Sequence, residues 1–200
     1  VDSTDGVLSL REALARADRT ETPDTIRFAR AVQGETIVLA GSQLTVESNV
    51  AIDGGRGVTL DADGRSRVLL AEGDVSIELA HLTITGGRTS GNGAGIAGVS
   101  GDSGYNFVTL DHVTVTDNRA AGAGGGISGF FGADLSSSEV SGNQATGGGG
   151  GISGYYVSAT DSTVRDNIVR GRQATGGGID AGEHVTLVNS TVSGNSARGA

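Results

Sequence analysis

The chain contains no cysteine, no methionine and no tryptophan, and it has a single proline among 200 residues. Without cysteine it has neither a disulfide scaffold nor a thiolate metal site. Aromatic residues make up only 4% of the sequence, so a core must be built from aliphatic side chains. No apolar run approaches the roughly 18 residues of a membrane-spanning helix, and no signal peptide is visible. Insertion of this segment into a membrane is therefore not predicted.

Lysine is also absent, so all 14 basic residues are arginine, against 23 acidic residues and a formal net charge of −9. Nucleic acids and anionic membrane surfaces attract proteins through clustered positive charge. The acidic balance therefore argues against nucleic acid as a partner. No cofactor is predicted, although the negative charge leaves a cationic partner or bound calcium open.

Glycine, with 36 residues, is abundant, and it accompanies a segment that recurs along the chain. The segment reads Thr-Val-Thr-Asp-Asn up to Asn118, Glu-Val-Ser-Gly-Asn up to Asn143, Thr-Val-Arg-Asp-Asn up to Asn167 and Thr-Val-Ser-Gly-Asn up to Asn195. The asparagines lie 25, 24 and 28 residues apart. Periods of 20 to 50 residues indicate stacked structural units.

Two further short segments accompany each asparagine. A glycine cluster and an isoleucine follow it, as in Gly149-Gly150-Gly151-Ile152, and an alternating apolar run such as Val108/Leu110 precedes it. The alternation is the period of a strand with one buried face. Three short strands in about 25 residues predict an all-β fold, a right-handed parallel β-helix, in which equivalent side chains form columns about 4.8 Å apart.

The N-terminal part has a different, helical pattern. Ser9-Leu10-Arg11-Glu12 is a capping box, and an apolar face follows it at helical spacing. We expect a helix over residues 9–18 within a cap of residues 1–24, the β-helix over residues 25–200, and regular glycine-rich coils from about residue 77. The next glycine cluster is due just after Asn195, which predicts further coils in a longer chain or end-to-end association through the open coil.

These motifs resemble those of bacterial secreted and surface β-helix proteins. That family has a Cys-Ser-Leu-Arg-Glu-Ala type N-terminal motif and Asn-Ser-Thr-Val-Ser-Gly-Asn and Gly-Gly-Gly-Ile repeats; here Leu8 precedes Ser9-Leu10-Arg11-Glu12-Ala13 and stands where cysteine is usual. The resemblance implies an extracellular or cell-surface protein of the adhesin or polymorphic outer-membrane-protein type. Polysaccharide lyases and hydrolases of the pectate-lyase type share the wider fold, so the fold alone does not settle the function.

The repeat aligns one column of candidate residues and places a second group in the same segment of successive coils. Asn118, Asn143, Asn167 and Asn195 are predicted to form a structural ladder, because asparagine tolerates left-handed corners and its amide can bond the next coil. Six of the seven aromatic residues fall in the segment after the glycine-isoleucine strand: Tyr105, Phe107, Phe130, Phe131, Tyr155 and Tyr156. At least part of this cluster should face outward, either as a contact site for sugar rings or as a ladder that packs loops against the coil.

Catalytic residues are much harder to assign. Asp134, Glu183 and His184 are the weak candidates near the aromatic cluster, but the column of Asp134 reads Thr109, Asp134, Ser158 and Thr186 and holds no second acid for a glycosidase. His81 and His112 share a column without a third metal ligand. Asp61-Ala62-Asp63-Gly64 has only part of a calcium loop and is expected to form a corner.

The sequence therefore predicts a non-enzymatic secreted or cell-surface scaffold or adhesin module. Its partner would be a polysaccharide, a surface glycan or another protein, with glycans contacted through the aromatic residues. Two alternatives stay open: a polysaccharide lyase or glycoside hydrolase with its cleft along the same edge, and a structural element that stacks end to end.

Overall fold

A computed structural model describes residues 8–20, 22–172 and 175–199, which form one continuous solenoid of about seven turns. In these ranges no helix has the length and apolar character needed to cross a bilayer. Residues 1–7 of the predicted N-terminal cap lie outside the described part.

The first element of the described part is helix α1 (Leu10–Ala17), as the capping box predicts. Ser9 Oγ accepts a hydrogen bond from the Glu12 N–H at 3.3 Å, and Glu12 Oε2 accepts from the Ser9 N–H at 2.8 Å. Leu14 and Ala17 are buried against the first coils. The helix thus covers the N-terminal end of the solenoid core and shields the first coil from water.

Strands follow in two sets, and one 3₁₀ turn, Arg30–Val32, lies between the first two strands. The early coils contain β1 (Asp24–Arg27), β2 (Thr36–Val38), β3 (Leu44–Val46), β4 (Val50–Asp61), β5 (Leu69–Glu72), β6 (Ser76–Thr85) and β7 (Arg88–Thr89). The glycine-rich coils contain β8 (Ile96–Val99), β9 (Phe107–Asp111), β10 (Thr114–Thr116), β11 (Arg119–Ala120), β12 (Ile127–Ser136), β13 (Glu139–Ser141), β14 (Gln144–Ala145), β15 (Ile152–Thr160), β16 (Thr163–Arg165), β17 (Ile168–Arg170), β18 (Ile179–Val188), β19 (Thr191–Ser193) and β20 (Ser196–Arg198).

Every strand pair is parallel, and each strand pairs with its equivalent in the next coil. The recurring Thr-Val segment forms one ladder, in which Val115 aligns with Ile84 and Val140. The alternating run and the glycine-isoleucine segment form two more ladders, and in β12, β15 and β18 they merge into one bent strand. A fourth short ladder, β7-β11-β14-β17-β20, follows the asparagine corner and adds to the three strands expected from the sequence.

Aliphatic columns fill the interior, as the low aromatic content predicts. Inward positions of every ladder are buried, from Leu44 and Ile52 in the early coils to Ile152 and Val164 in the later ones. In the last described coil the same inward positions are open, so Val185, Leu187 and Val192 are each 45% exposed.

The asparagine column is a buried ladder. Asn143 Nδ2 donates to Asn167 Oδ1 at 3.0 Å and to the Val115 carbonyl at 2.9 Å, and the same pattern joins Asn118 to Asn143 and Asn167 to Asn195. The asparagines do not themselves take the left-handed conformation expected for them. The preceding residues do: Asp117, Gly142, Asp166 and Gly194 have φ between 55° and 66°. The asparagine can then turn inward and bond the backbone.

A serine ladder that the sequence reasoning missed stabilises the neighbouring corner. Ser138 N donates to Ser162 Oγ at 3.1 Å, and Ser162 N donates to Ser190 Oγ at 3.0 Å. Each serine follows a residue with positive φ, such as Ser137 or Asp161. The partial calcium motif is also a corner, in which Asp61 Oδ1 accepts from the Asp63 N–H at 2.8 Å.

Candidate functional site: the aromatic edge

Five of the six aromatic residues in question form a continuous stack at the edge that follows the glycine-isoleucine strands. Phe131 stacks on Tyr155 with ring centroids 5.4 Å apart, and the rings of Tyr105 and Tyr156 meet Phe131 edge to face at 4.6 and 5.2 Å. Phe131 and Tyr155 thus lie one above the other in adjacent coils. We call Tyr105, Phe107, Phe131, Tyr155 and Tyr156 the aromatic edge.

The second column of the edge runs Phe107, Gly132, Tyr156 and His184 in register. A Cβ on Gly132 would lie 2.6 Å from Phe107 Cδ1, so the missing side chain leaves the space that the Phe107 ring occupies. Phe107 then meets Phe131 at 5.7 Å, and Tyr156 stacks on His184 at 5.7 Å. Gly132 was not singled out from the sequence, although the aligned column contains it.

Phe130 does not belong to the edge, which corrects its assignment as a substrate-binding residue. Its side chain is only 2% exposed and packs in the core. Neighbouring residues in a strand point to opposite sides, so Phe131 faces outward because Phe130 faces inward. By contrast, Tyr105, Tyr155, Tyr156 and Phe107 are all at least 37% exposed.

A shallow groove of about 500 Å³ runs beside the aromatic edge. Its lining combines the rings of Phe131 and Tyr155 with small polar side chains such as Asn92, Ser128 and Ser153. Apolar ring faces beside hydroxyl and amide groups suit sugar rings, which present apolar faces and hydroxyl edges.

Glu183 gives one end of the edge a polar terminus. Tyr155 Oη donates to Glu183 Oε1 at 3.0 Å, and this bond is the main reason why the pKa of Tyr155 is raised. His184 Nδ1 lies 3.9 Å from the other carboxylate oxygen of Glu183. Two of the three weak catalytic candidates, Glu183 and His184, therefore lie side by side, and Tyr155 is hydrogen-bonded to Glu183.

The other end of the edge is held by Asp74, which the sequence reasoning did not identify. Its carboxylate accepts from the backbone N–H groups of Ser103 at 2.9 Å and Gly101 at 3.0 Å. These bonds, that of Ser103 first, lower the pKa of Asp74. The carboxylate thereby organises the loop that carries Tyr105. No periodic signal marks Asp74, because the loop occurs in one coil only.

Asp134 is exposed on the outer face of its strand and aligns with Thr109 and Ser158, as its column predicts. Neither neighbour supplies a second carboxylate. The stacked rings of His81 and His112, 5.4 Å apart, lie on another corner, where their Nδ1 atoms contact Asp53 and Asp111. Within the described ranges no group of three or more His, Cys, Asp or Glu side chains is placed to hold a metal ion.

Comparison with known proteins supports the architecture. The chain matches the family model described as the right-handed beta helix region over residues 70–200, which include every residue of the aromatic edge. Neither the curated proteins nor the solved structures contain a significant match. Because the matched region covers well over half of the 200 residues and the described coils have the same parallel architecture, the chain belongs to the family of right-handed β-helix proteins.

Proposed function

We propose that this protein is a non-enzymatic scaffold or adhesin module, outside the cell or on its surface, that contacts glycans through the aromatic edge. The observation that carries the proposal is the continuous stack from Tyr105 to His184 beside the groove. Soluble proteins seldom expose contiguous aromatic surface unless it serves a contact.

The stack is also preorganised for binding. Phe131 is held between neighbours on both sides, and the Asp74 and Glu183 carboxylates fix the two ends. Ordered rings lose little conformational entropy when a sugar packs on them, so the edge offers a rigid platform. The parallel ladders supply that rigidity, since each coil is bonded to the next.

Binding is tested by titrating the protein with neutral, amino and acidic oligosaccharides in a calorimeter. Tyr155→Ala should weaken binding of the preferred glycan about tenfold, because a stacking surface is lost. Val38→Ala removes another exposed apolar side chain, 58% exposed against 42% for Tyr155, and should leave binding unchanged. Absence of binding to every class, or equal binding by Tyr155→Ala, would contradict the proposal.

The same samples separate binding from catalysis. Depolymerisation of a polysaccharide that disappears in Glu183→Gln, His184→Ala or Asp134→Ala would assign a lyase or hydrolase to this edge instead. End-to-end association through the open last coil stays a separate prediction, checked by the concentration dependence of the mass in solution.

A further inference from the structure

The short ladder carries a basic face that the overall charge of the protein conceals. Arg88 in β7 and Arg119 in β11 are aligned in register, and so are Arg170 in β17 and Arg198 in β20. All four side chains are exposed. Between them in the ladder, Ala120, Ala145 and Val169 point inward and are buried, so the arginines share the outer face.

No acidic residue occurs in the five strands of this ladder. Their residues are Arg88–Thr89, Arg119–Ala120, Gln144–Ala145, Ile168–Arg170 and Ser196–Arg198. Within the described residues, none of the four guanidinium groups has a carboxylate oxygen within 4.0 Å; Arg198 Nε donates to Ser196 Oγ at 3.1 Å. The face therefore has positive charge without an internal partner.

The neighbouring ladder shows the opposite arrangement. Arg165 donates to Glu139 at 2.7 Å, one coil below, and to Asp166 at 2.9 Å. Asp117, which lies close to Arg119 in sequence, is at the preceding corner and accepts from Thr116 Oγ1 at 3.2 Å. The acids closest to these arginines in sequence, Asp117 and Asp166, thus lie at the corner that precedes the short ladder and outside its five strands.

Like charges directly opposite each other in a sheet are destabilising. Arg88 and Arg119 are one rung, about 4.8 Å, apart, and so are Arg170 and Arg198. An anion placed between the members of a pair would relieve this repulsion and accept hydrogen bonds from two guanidinium forks. Tetrahedral oxyanions suit such bidentate contacts.

We propose that this basic face binds a linear polysaccharide that carries sulfate or phosphate groups. The centres of the two arginine pairs are three rungs, about 14 Å, apart along the solenoid, and the second pair lies two residues farther along its strands. A small anion can reach only one pair, whereas a polymer can occupy both, and the second contact then benefits from a high effective concentration.

The composition of the face favours a polysaccharide over a nucleic acid. Proteins that bind single-stranded nucleic acids combine positive charge with aromatic side chains on which bases stack. The five strands contain no aromatic residue, and the exposed phenylalanine and tyrosine rings of the described coils lie on the separate aromatic edge. The prediction of no nucleic acid partner is kept, but the net charge of −9 is a poor guide to this surface because the coil sorts charges onto different faces.

Fluorescence anisotropy with labelled dextran sulfate of increasing length tests the proposal, with unsulfated dextran as the ligand control. Long dextran sulfate should bind, short fragments should bind far more weakly, and added salt should weaken binding. The double substitution Arg88→Gln with Arg119→Gln should weaken binding about tenfold, since charge-assisted bonds are lost. Arg30→Gln with Arg56→Gln, two exposed arginines elsewhere, changes the net charge equally and should leave affinity within about twofold.

Arg88→Lys with Arg119→Lys keeps the charge and removes the fork, so its affinity should lie between those of the wild type and the glutamine variant. Unchanged far-ultraviolet circular dichroism would show that each variant is folded. Equal binding by the glutamine variant and the wild type overturns the proposal. Tighter binding of poly(U) RNA than of dextran sulfate also overturns it and assigns the face to a nucleic acid.

Discussion

Asn143 and Asn167 are joined by two hydrogen bonds to one oxygen: Asn167 Oδ1 accepts from the Asn143 N–H at 2.9 Å and from Asn143 Nδ2 at 3.0 Å. Both side chains are fully buried. The side-chain oxygen of Asn167 thus accepts hydrogen bonds from both the backbone and the side-chain amide of the asparagine one coil below. The corner keeps its register because each coil depends on the next one for these bonds.

The substitution Asn143→Ala should lower the free energy of unfolding by about 3 kcal/mol, because it leaves the Asn118 N–H and Nδ2 without their buried acceptor. Urea unfolding followed by circular dichroism measures the effect. Asn195→Ala is the matched control at a half-buried rung, where water can replace the lost bonds, and should cost about 1 kcal/mol. Equal losses at both positions would show that burial of the ladder is not what makes it stabilising.

The column of asparagines could be read from the sequence, but its geometry could not. Spacing fixes which residues lie above one another, and so it predicted the asparagine ladder. Spacing does not tell which residue of a corner takes positive φ. The strain falls on Asp117 or Gly142, where glycine and aspartate are tolerated, and leaves the asparagine free to turn inward.

The aromatic edge, too, could be predicted from the sequence only in part. Six aromatic residues cluster in sequence, yet Phe130 is buried and Phe131 is not, because the strand alternates and its phase at this bend was not evident. The contribution of Gly132 depends on the Phe107 ring of the coil below, and that of Asp74 on a loop that occurs once. Contacts that do not repeat from coil to coil leave no periodic signal.

Asp74 should make the order of the Tyr105 loop depend on acidity. The pKa of Asp74 is lowered in the folded protein, chiefly by the hydrogen bond from the Ser103 N–H. The stability that the Asp74 carboxylate contributes is therefore present above the ordinary carboxyl pKa of 3.8 and is lost as the pH falls through the lowered value. Amide hydrogen exchange of Gly101 and Ser103 should accelerate over that range, after correction for intrinsic rates. In Asp74→Ala the exchange should be fast at every pH; protection that survives in this variant would show that another group holds the loop.

Tyr155 should ionise at higher pH than an ordinary phenol, because its hydroxyl donates to Glu183. Because the pKa of Tyr155 is higher in the folded than in the unfolded protein, the hydrogen bond to Glu183 contributes fully to stability below the unfolded pKa of about 10. That contribution is lost as the pH rises through the folded pKa. The difference in phenolate absorbance between the wild type and Tyr155→Phe isolates this titration. Glu183→Gln removes the negative charge and should return the pKa towards its usual range; an unchanged titration would exclude Glu183 as the cause.

Arg119→Glu connects stability to the basic face. The substitution turns the like-charge pair with Arg88 into an opposite-charge pair one rung apart, which should raise the free energy of unfolding by about 0.5 kcal/mol at low salt. Because both side chains are exposed, the gain should disappear at high ionic strength. Thermal unfolding at two salt concentrations measures it, and Arg30→Glu serves as the control without an arginine in register. If the variant is more stable than the wild type at low salt and no longer binds dextran sulfate, the two arginines serve binding and lower the stability of the fold. If the variant is less stable at low salt, the repulsion between the two arginines is already relieved within the protein.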